Sequence, residues 1–581
     1  MDVTISAYRK TMKKMIKKLA WRLVDVNAVR TQFREFSAAP GRETIKIFDC
    51  LLTWIRLSRF RRADVMPNSR NALIVSLSPL IYHVKYDAML GAALKLQGIR
   101  PVAVLVSRTG SFWNRRYLKA FGVSDFIYIH EIDLCHEEEC FCQREAKKML
   151  AETHTFSSVK DWRFMGHWIG PQVLSYISRK NLIGTPDLDD TEILDQIEEI
   201  LPEVIALILK SNKIVSTYNA ALAITCECNY AFYAPFTDAM ILANRPVIQY
   251  TSAWYDDGFF LLRRDKETRR VHPAYVGKKR FETLCERPWT VENENRLNRV
   301  NEQRYSGRWY LQSLNQPNTR RQSRAEVLEK LQLTGRRKIV VVVCPVLWDA
   351  NLFYGEDLFD DFGDWFVNTL KIAVETTSVD WLIKLHPGNM WRREIAGDTS
   401  ELTEDVIIAM EGISIPEHVR LVYPDTDISA RSLYDIAHAG ITVRGTAGME
   451  MPCFRVPTIV AGSGRYTGLG FTIEPKTRED YQQLLSNILE LPPMDDEVYE
   501  LARWHAHIAL LERAWTMHTF KPHLKDIKRS FNPLYSNLYP RSFFAPQLNQ
   551  CDDLRNFADW AVNSDDYEFI SDDPNEIVVS N

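Results

Sequence analysis

The chain has 581 residues, 46% of them apolar and 25% charged, and a formal net charge of −3. That length exceeds one ordinary core and predicts two large domains with extensions, while the near-neutral balance supplies no field for a nucleic-acid partner. Ten cysteines are too sparse for a disulfide scaffold and predict reduced thiols in a cytoplasmic protein. Cys135, His136, Cys140 and Cys142 lie close together but match no standard zinc spacing, so no metal is expected there.

No run of eighteen apolar residues exists, so no bilayer span is predicted, and the start lacks the apolar core and cleavage site of a secretory signal. From Tyr8 to Phe36, Met12, Met15, Ile16, Leu19, Leu23 and Val26 recur at helical spacing among Lys13, Lys14, Lys17, Lys18 and Arg22. Residues 1–70 are read as a basic amphipathic extension. It either lies on the anionic inner face of a membrane or packs on its own domain.

At Asn71 the pattern becomes α/β alternation. Ala72–Leu77 reads as a strand, Tyr86–Gln97 as a helix closed by Gly98, Pro101–Val106 as a strand, Trp113–Phe121 as a helix and Asp125–Ile129 as a strand. Lys213–Thr217, a helix near Phe236–Leu242 and Pro246–Tyr250 continue the same sheet, and strands alternating with helices imply parallel βαβ units. The charged helical stretch from about Glu131 to Pro202 has no resolved place. Residues 71–285 form the expected N-terminal, acceptor-side domain, and 286–337, dense in Arg, Asn and Gln, the linker region.

Ser323 and Glu326 open a helix as a capping box, and Gly335 closes it. Ile339–Cys344 then reads as a buried strand, followed by strands at Trp381–Lys384, Val419–Val422, Gly440–Val443 and Thr458–Val460. Asp361–Val374, Ser429–Ala437 and Asp496–Met517 read as helices. Residues 338–520 are the expected nucleotide-sugar domain. Residues 521–581 form an acidic tail, with nine acidic residues against one basic after Cys551, expected to be disordered in part. Two doubly wound Rossmann-like domains facing a central crevice make a GT-B layout, with ligands at the carboxyl ends of the strands.

Three segments carry the chemistry. Arg444–Gly470 places a small-residue turn, Gly445, Thr446, Ala447 and Gly448, between a strand and a helix containing Glu450, and a second glycine-rich loop holds Arg465 and Tyr466. Backbone N–H groups in such a turn can hold a phosphate, Arg444 adds a forked cation, and Glu450 is positioned for ribose or sugar hydroxyls. Lys384 and His386 end the strand before Pro387, where an imidazole can donate to a phosphate oxygen or protonate a departing one. The third segment is a set of strand-end carboxylates. Asp257 is the first candidate for the base that takes the acceptor proton, Asp256 shapes the same turn, Asp349 is the next candidate, and Asp427 is read as a helix cap.

Together Ile383–Pro387 (IKLHP), Arg444–Gly462 and Gly464–Thr472 resemble the capsular polysaccharide biosynthesis family of GT-B glycosyltransferases. The likeness covers most of Lys338 to about Leu489 and is weaker over Asn71–Gly277. It implies that His386 contacts the nucleotide phosphate of a CMP-activated acidic sugar, as in Kdo transferases and some bacterial sialyltransferases. It also implies that Asp256–Asp257–Gly258 supplies the base. Arg444–Gly445–Thr446 departs from the Ser- or Thr-rich turn common in relatives, which leaves a UDP or GDP sugar open as donor. The expected partners are a nucleotide-sugar donor and a glycan or glycolipid acceptor, with no cofactor and no catalytic metal. A sugar-nucleotide epimerase of the same shape and a non-catalytic assembly subunit are the competing readings.

Overall fold

The structure is a computed structural model that describes residues 40–62, 70–152, 155–253, 255–305, 319–388, 402–525 and 532–570; the basic segment Tyr8–Phe36 lies outside them. In the first domain β1 (Asn71–Val75), β2 (Arg100–Leu105) and β3 (Asp125–Tyr128) pair in parallel. Ala72 and Ile74 enter one core, and Leu73 and Val75 the other. With helices on both faces, every position of such a strand must be apolar, which is why these runs show no alternation.

A two-stranded ribbon, β4 (Arg163–Phe164) and β5 (His167–Trp168), lies outside the sheet. β6 (Leu222–Thr225) joins the other side of β1 in parallel and β7 (Val247–Ser252) joins β6; β8 (Gly258–Arg264) then folds back antiparallel on β7. Gly258 permits that return, because a Cβ there would sit 2.8 Å from the Tyr255 ring. The expected strand Lys213–Thr217 is instead the end of the helix Thr191–Tyr218, with Ile214 and Val215 on its buried face. A short β-branched run has the same apolar signature in either state, and here helix length decides. The unresolved stretch forms the helices His136–Ala151 and Gly170–Asn181 against Thr191–Tyr218, around a core of Val173, Ile177, Ile197 and Leu201.

The second domain is an all-parallel sheet of β9 (Ile339–Val343), β10 (Asp380–Lys384), β11 (Val419–Val422), β12 (Ala437–Thr442) and β13 (Thr458–Val460). Their order is β11-β10-β9-β12-β13, so connections run outward in opposite directions from the β9/β12 boundary. The capping box at Ser323 and Glu326 is present. Ser429 caps its helix, whereas Asp427 pairs with Lys330 at 2.6 Å and is not the cap.

The chain then returns to the first domain. The expected helix Asp496–Met517 stops at His507; one π turn follows, and β14 (Trp515–Thr516) adds to the edge of β8. β15 (Phe520–Leu524) and β16 (Ser536–Pro540) form a hairpin, and Asp552–Asn563 is a helix. The end of the tail, where disorder is expected, lies beyond Ile570 and outside the described residues. Before it Trp515 stacks on Phe557 with centroids 5.9 Å apart, and the acidic surface of that helix backs an apolar face of Leu554, Phe557, Ala558 and Ala561. A buried Lys85 ammonium ties three segments together, donating to Asp49 and Thr53 at 2.9 Å and to Asn537 at 2.5 Å.

Thr185 donates to Asp361 and Asn229 to Tyr354, both at 2.7 Å, across the line where the carboxyl ends of the two sheets meet. Two Rossmann-like domains meeting at a crevice, with a C-terminal segment that returns to the first, form the GT-B fold.

Candidate functional site

In the second domain the boundary between β9 and β12 is the topological switch point, where a doubly wound sheet opens a crevice. Lys384 closes β10, the strand beside β9 on the side away from β12. Its side chain is 6% exposed, and among the described residues it forms no ion pair. Burial lowers its ammonium to about 8, partly opposed by Cys344 and Glu450. His386 follows, half-buried, with Nδ1 accepting the Gly388 N–H at 2.9 Å. Burial, then the charge of Lys384, holds its imidazole down at about 3. The ring is therefore neutral, with its remaining proton on Nε2. An incompletely compensated buried cation beside a neutral N–H donor suits an anionic ligand.

The glycine-rich loops are more self-satisfied than their sequence implies. The Arg444 guanidinium reaches the Tyr354 carbonyl and the Asp357 carboxylate. The helix after the turn is only Ala447–Glu450. Glu450, expected to face a ribose, is buried and accepts from Arg304 at 2.5 Å, Tyr305 at 2.7 Å and Tyr434 at 3.2 Å. Burial works to raise its carboxyl, but the Arg304 charge and these donors win and hold it below the usual range. Tyr466 is fully buried and donates to the Gly445 carbonyl at 2.8 Å, and its ring fills the space a Cβ on Gly448 would need. Arg465 donates to the Arg444 carbonyl at 3.0 Å, and burial lowers its guanidinium to about 10. Thr446 receives the backbone N–H of Glu450 at 3.0 Å.

The first domain has its own switch point, between β1 and β6, and a cavity of about 800 Å³ opens there. Ser78 and Pro79 come from the end of β1, Cys226 and Glu227 from the end of β6, and Thr251 and Ser252 from the end of β7. Tyr82, Tyr86, Tyr233, Tyr250 and Phe259 supply ring faces, and Arg179 and Lys180 enter from the helix Gly170–Asn181. Behind this wall Asp87 accepts from Tyr250 at 2.8 Å, and burial pushes its carboxyl up to about 7 against the pull of that donor.

Of the sequence-predicted carboxylates, Asp349 does reach the crevice. It accepts from the Tyr230 hydroxyl and lies 3.6 Å from the Arg179 guanidinium, so it bridges both domains. Asp257 lies in the β7–β8 turn but faces the C-terminal hairpin, 3.5 Å from Arg541 and 3.9 Å from Lys521. Asp256 occupies the same turn. Neither is among the cavity walls.

Two site residues carry no sequence signal that would have found them. Glu227 sits in an unremarked TCECN run, and His272 packs its ring, tilted, 4.8 Å from that of Tyr354 of the other domain. Burial, followed by Arg465, Arg444, Arg264 and Arg513, drives His272 well below its ordinary value.

Neither a family model nor a curated protein matches the chain. Among solved structures it is similar to KpsC of Thermosulfurimonas dismutans, a beta Kdo 2,4 transferase, at 12% identity over 52% of this chain and 82% of that one, with a TM-score of 0.30. It is also similar to UDP-GlcNAc 2-epimerase from Neisseria meningitidis, at 8% identity over 76% and 96%, TM-score 0.25. A third is Anabaena Alr3699/HepE in complex with UDP and glucose, at 10% identity over 76% and 94%, TM-score 0.25. At these scores the likenesses carry no argument about activity, and the architecture rests on the sheet topology itself.

Proposed function

We propose that the chain transfers a glycosyl unit from a nucleotide-activated donor on its C-terminal domain to a glycan or glycolipid acceptor on its N-terminal domain. Growth of a capsular or other surface polysaccharide is the process this reaction would serve. What supports the reading is the buried Lys384 cation and the His386 N–H at the end of β10 in one domain, together with an aromatic cavity of about 800 Å³, large enough for a sugar, at the strand ends of the other. Lys384 and the Nε2–H of His386 take the donor phosphate and offset the charge that builds on it as the bond to the sugar breaks. The His386–Pro387 resemblance favours a CMP-linked acidic, Kdo-like sugar over UDP and GDP sugars.

Calorimetry against CMP, UDP and GDP and their sugar conjugates should give one clear preference; absence of binding by all of them rejects the reading. Nucleotide release that depends on an added glycoside supports transfer. Turnover of a sugar nucleotide with no acceptor present identifies an epimerase of the same shape instead.

A further inference from the structure

Glu227 closes β6 at the switch point of the first domain and forms part of the cavity wall. Its Oε1 accepts the backbone N–H groups of Cys228 at 2.7 Å and Asn229 at 2.8 Å, which fixes the carboxylate at the strand end. The backbone is held too, since the Thr225 hydroxyl donates to the Glu227 carbonyl at 2.8 Å. Oε2 accepts no hydrogen bond from any described residue. Burial pushes this carboxyl up, against the two amide donors; Asp349 pushes the same way and Arg179 opposes. Asp257, by contrast, is neutralised by Arg541 and Lys521 outside the cavity.

We propose that Glu227 is the catalytic residue that takes the acceptor proton, acting on a hydroxyl of a sugar seated against the ring faces of Tyr82, Tyr86, Tyr233 and Tyr250. The assignment rests on the transferase reading given above. As the acceptor oxygen bonds to the anomeric carbon, its proton passes to Oε2, the bond to the phosphate oxygen breaks, and the electron pair leaves with the nucleotide. Asp349, held by Tyr230 and beside Arg179, brings the donor-side domain against this carboxylate when the crevice is closed. A fixed carboxylate with one open oxygen and a raised pKa is suited to accept a proton near neutral pH.

The full chain is assayed with CMP-Kdo, CMP-N-acetylneuraminate, UDP-N-acetylglucosamine and GDP-mannose against a panel of p-nitrophenyl glycosides. For the pair that turns over, Glu227→Gln should lower turnover ~100-fold or more, leave donor affinity within about twofold, and remove the acid limb of the pH–rate profile. Asp257→Asn, run in parallel, should retain most turnover. If Glu227→Gln does not fold, Glu227→Asp retracts the carboxylate by one methylene and should still cost ~10-fold with donor affinity intact. Near-normal turnover in the folded Glu227 variant overturns the assignment while leaving the transferase reading in place. Failure of the unaltered chain to bind any of the four donors removes the transferase reading itself.

Discussion

The backbone N–H of Gly388 donates to Nδ1 of His386 at 2.9 Å, and this one bond decides what the imidazole offers a ligand. With Nδ1 accepting and the ring held neutral, Nε2 carries the proton and is a donor at any pH a cell experiences. His386→Ala should weaken donor binding by ~1.5–3 kcal/mol, or one to two decades, without unfolding the chain. Gly388→Ala should weaken it in the same direction, because the new Cβ would sit 2.9 Å from Nδ1 and displace the ring. Calorimetry decides: unchanged affinity in both variants assigns this turn to structure alone.

Lys384 predicts a pH dependence of opposite origin. Its ammonium is lowered to about 8, and an anion bound beside it would stabilise the charged form. Donor affinity should therefore be highest below about 8 and fall as the pH rises through that value, by about tenfold for each further unit. Lys384→Met should bind more weakly at neutral pH and lose this slope. A slope that survives in the variant places the titrating group elsewhere.

Asp87 makes a prediction about stability. Its folded-state carboxyl is raised to about 7 from an ordinary 3.8, so the folded chain holds a proton that the unfolded chain releases. The stabilisation is fully present below the unfolded value and is lost as the pH climbs through about 7. Urea midpoints between pH 5 and 8.5 should fall with rising pH, and Asp87→Asn should flatten the curve. An unaltered pH slope in that variant would exclude Asp87 as its source.

The tail gives a test of which domain owns it. Phe557 is fully buried among Trp515, Trp560 and Phe569, and Asp553 accepts the backbone N–H groups of His518 and Thr519 at 2.8 Å. Phe557→Ala should cost ~3–5 kcal/mol in global stability, far more than truncation of a side chain in a loose tail would. A change below about 1 kcal/mol by denaturant titration would contradict the packing.

What the sequence made legible follows from the range of the forces involved. Strands buried on both faces announce themselves as unbroken apolar runs, and the position of His386 just past β10 was legible because Pro387 stops the strand. Partners were not readable. Glu450 meets Arg304 at a separation of 146 residues and Arg444 meets Asp357 at 87, and no local pattern encodes such pairings. Glu227 was missed for a related reason, since its role comes from the β1/β6 reversal and from two amides of its own turn. The acidic count after Cys551 gave no hint of the helix Asp552–Asn563, because charge on one helix face says nothing of the apolar face behind it.

Arg444 separates a structural role from a ligand-binding one. Its guanidinium is 5% exposed and is committed to Asp357 and the Tyr354 carbonyl, so Arg444→Ala leaves a buried carboxylate without its cation. Removing one member of a buried pair costs ~3–5 kcal/mol, mostly through the charge left behind. Burial already pushes the Asp357 carboxyl up against the pull of Arg444, so in the variant it should take up a proton and the loss should grow with rising pH. Asp357→Asn in the same chain removes that charge, and the double variant should regain much of the stability lost by Arg444→Ala alone. Donor affinity, measured on the stabilised double variant, then reports what Arg444 gives a phosphate directly. A double variant no more stable than Arg444→Ala would show that the guanidinium holds the wall through Tyr354 and not through Asp357.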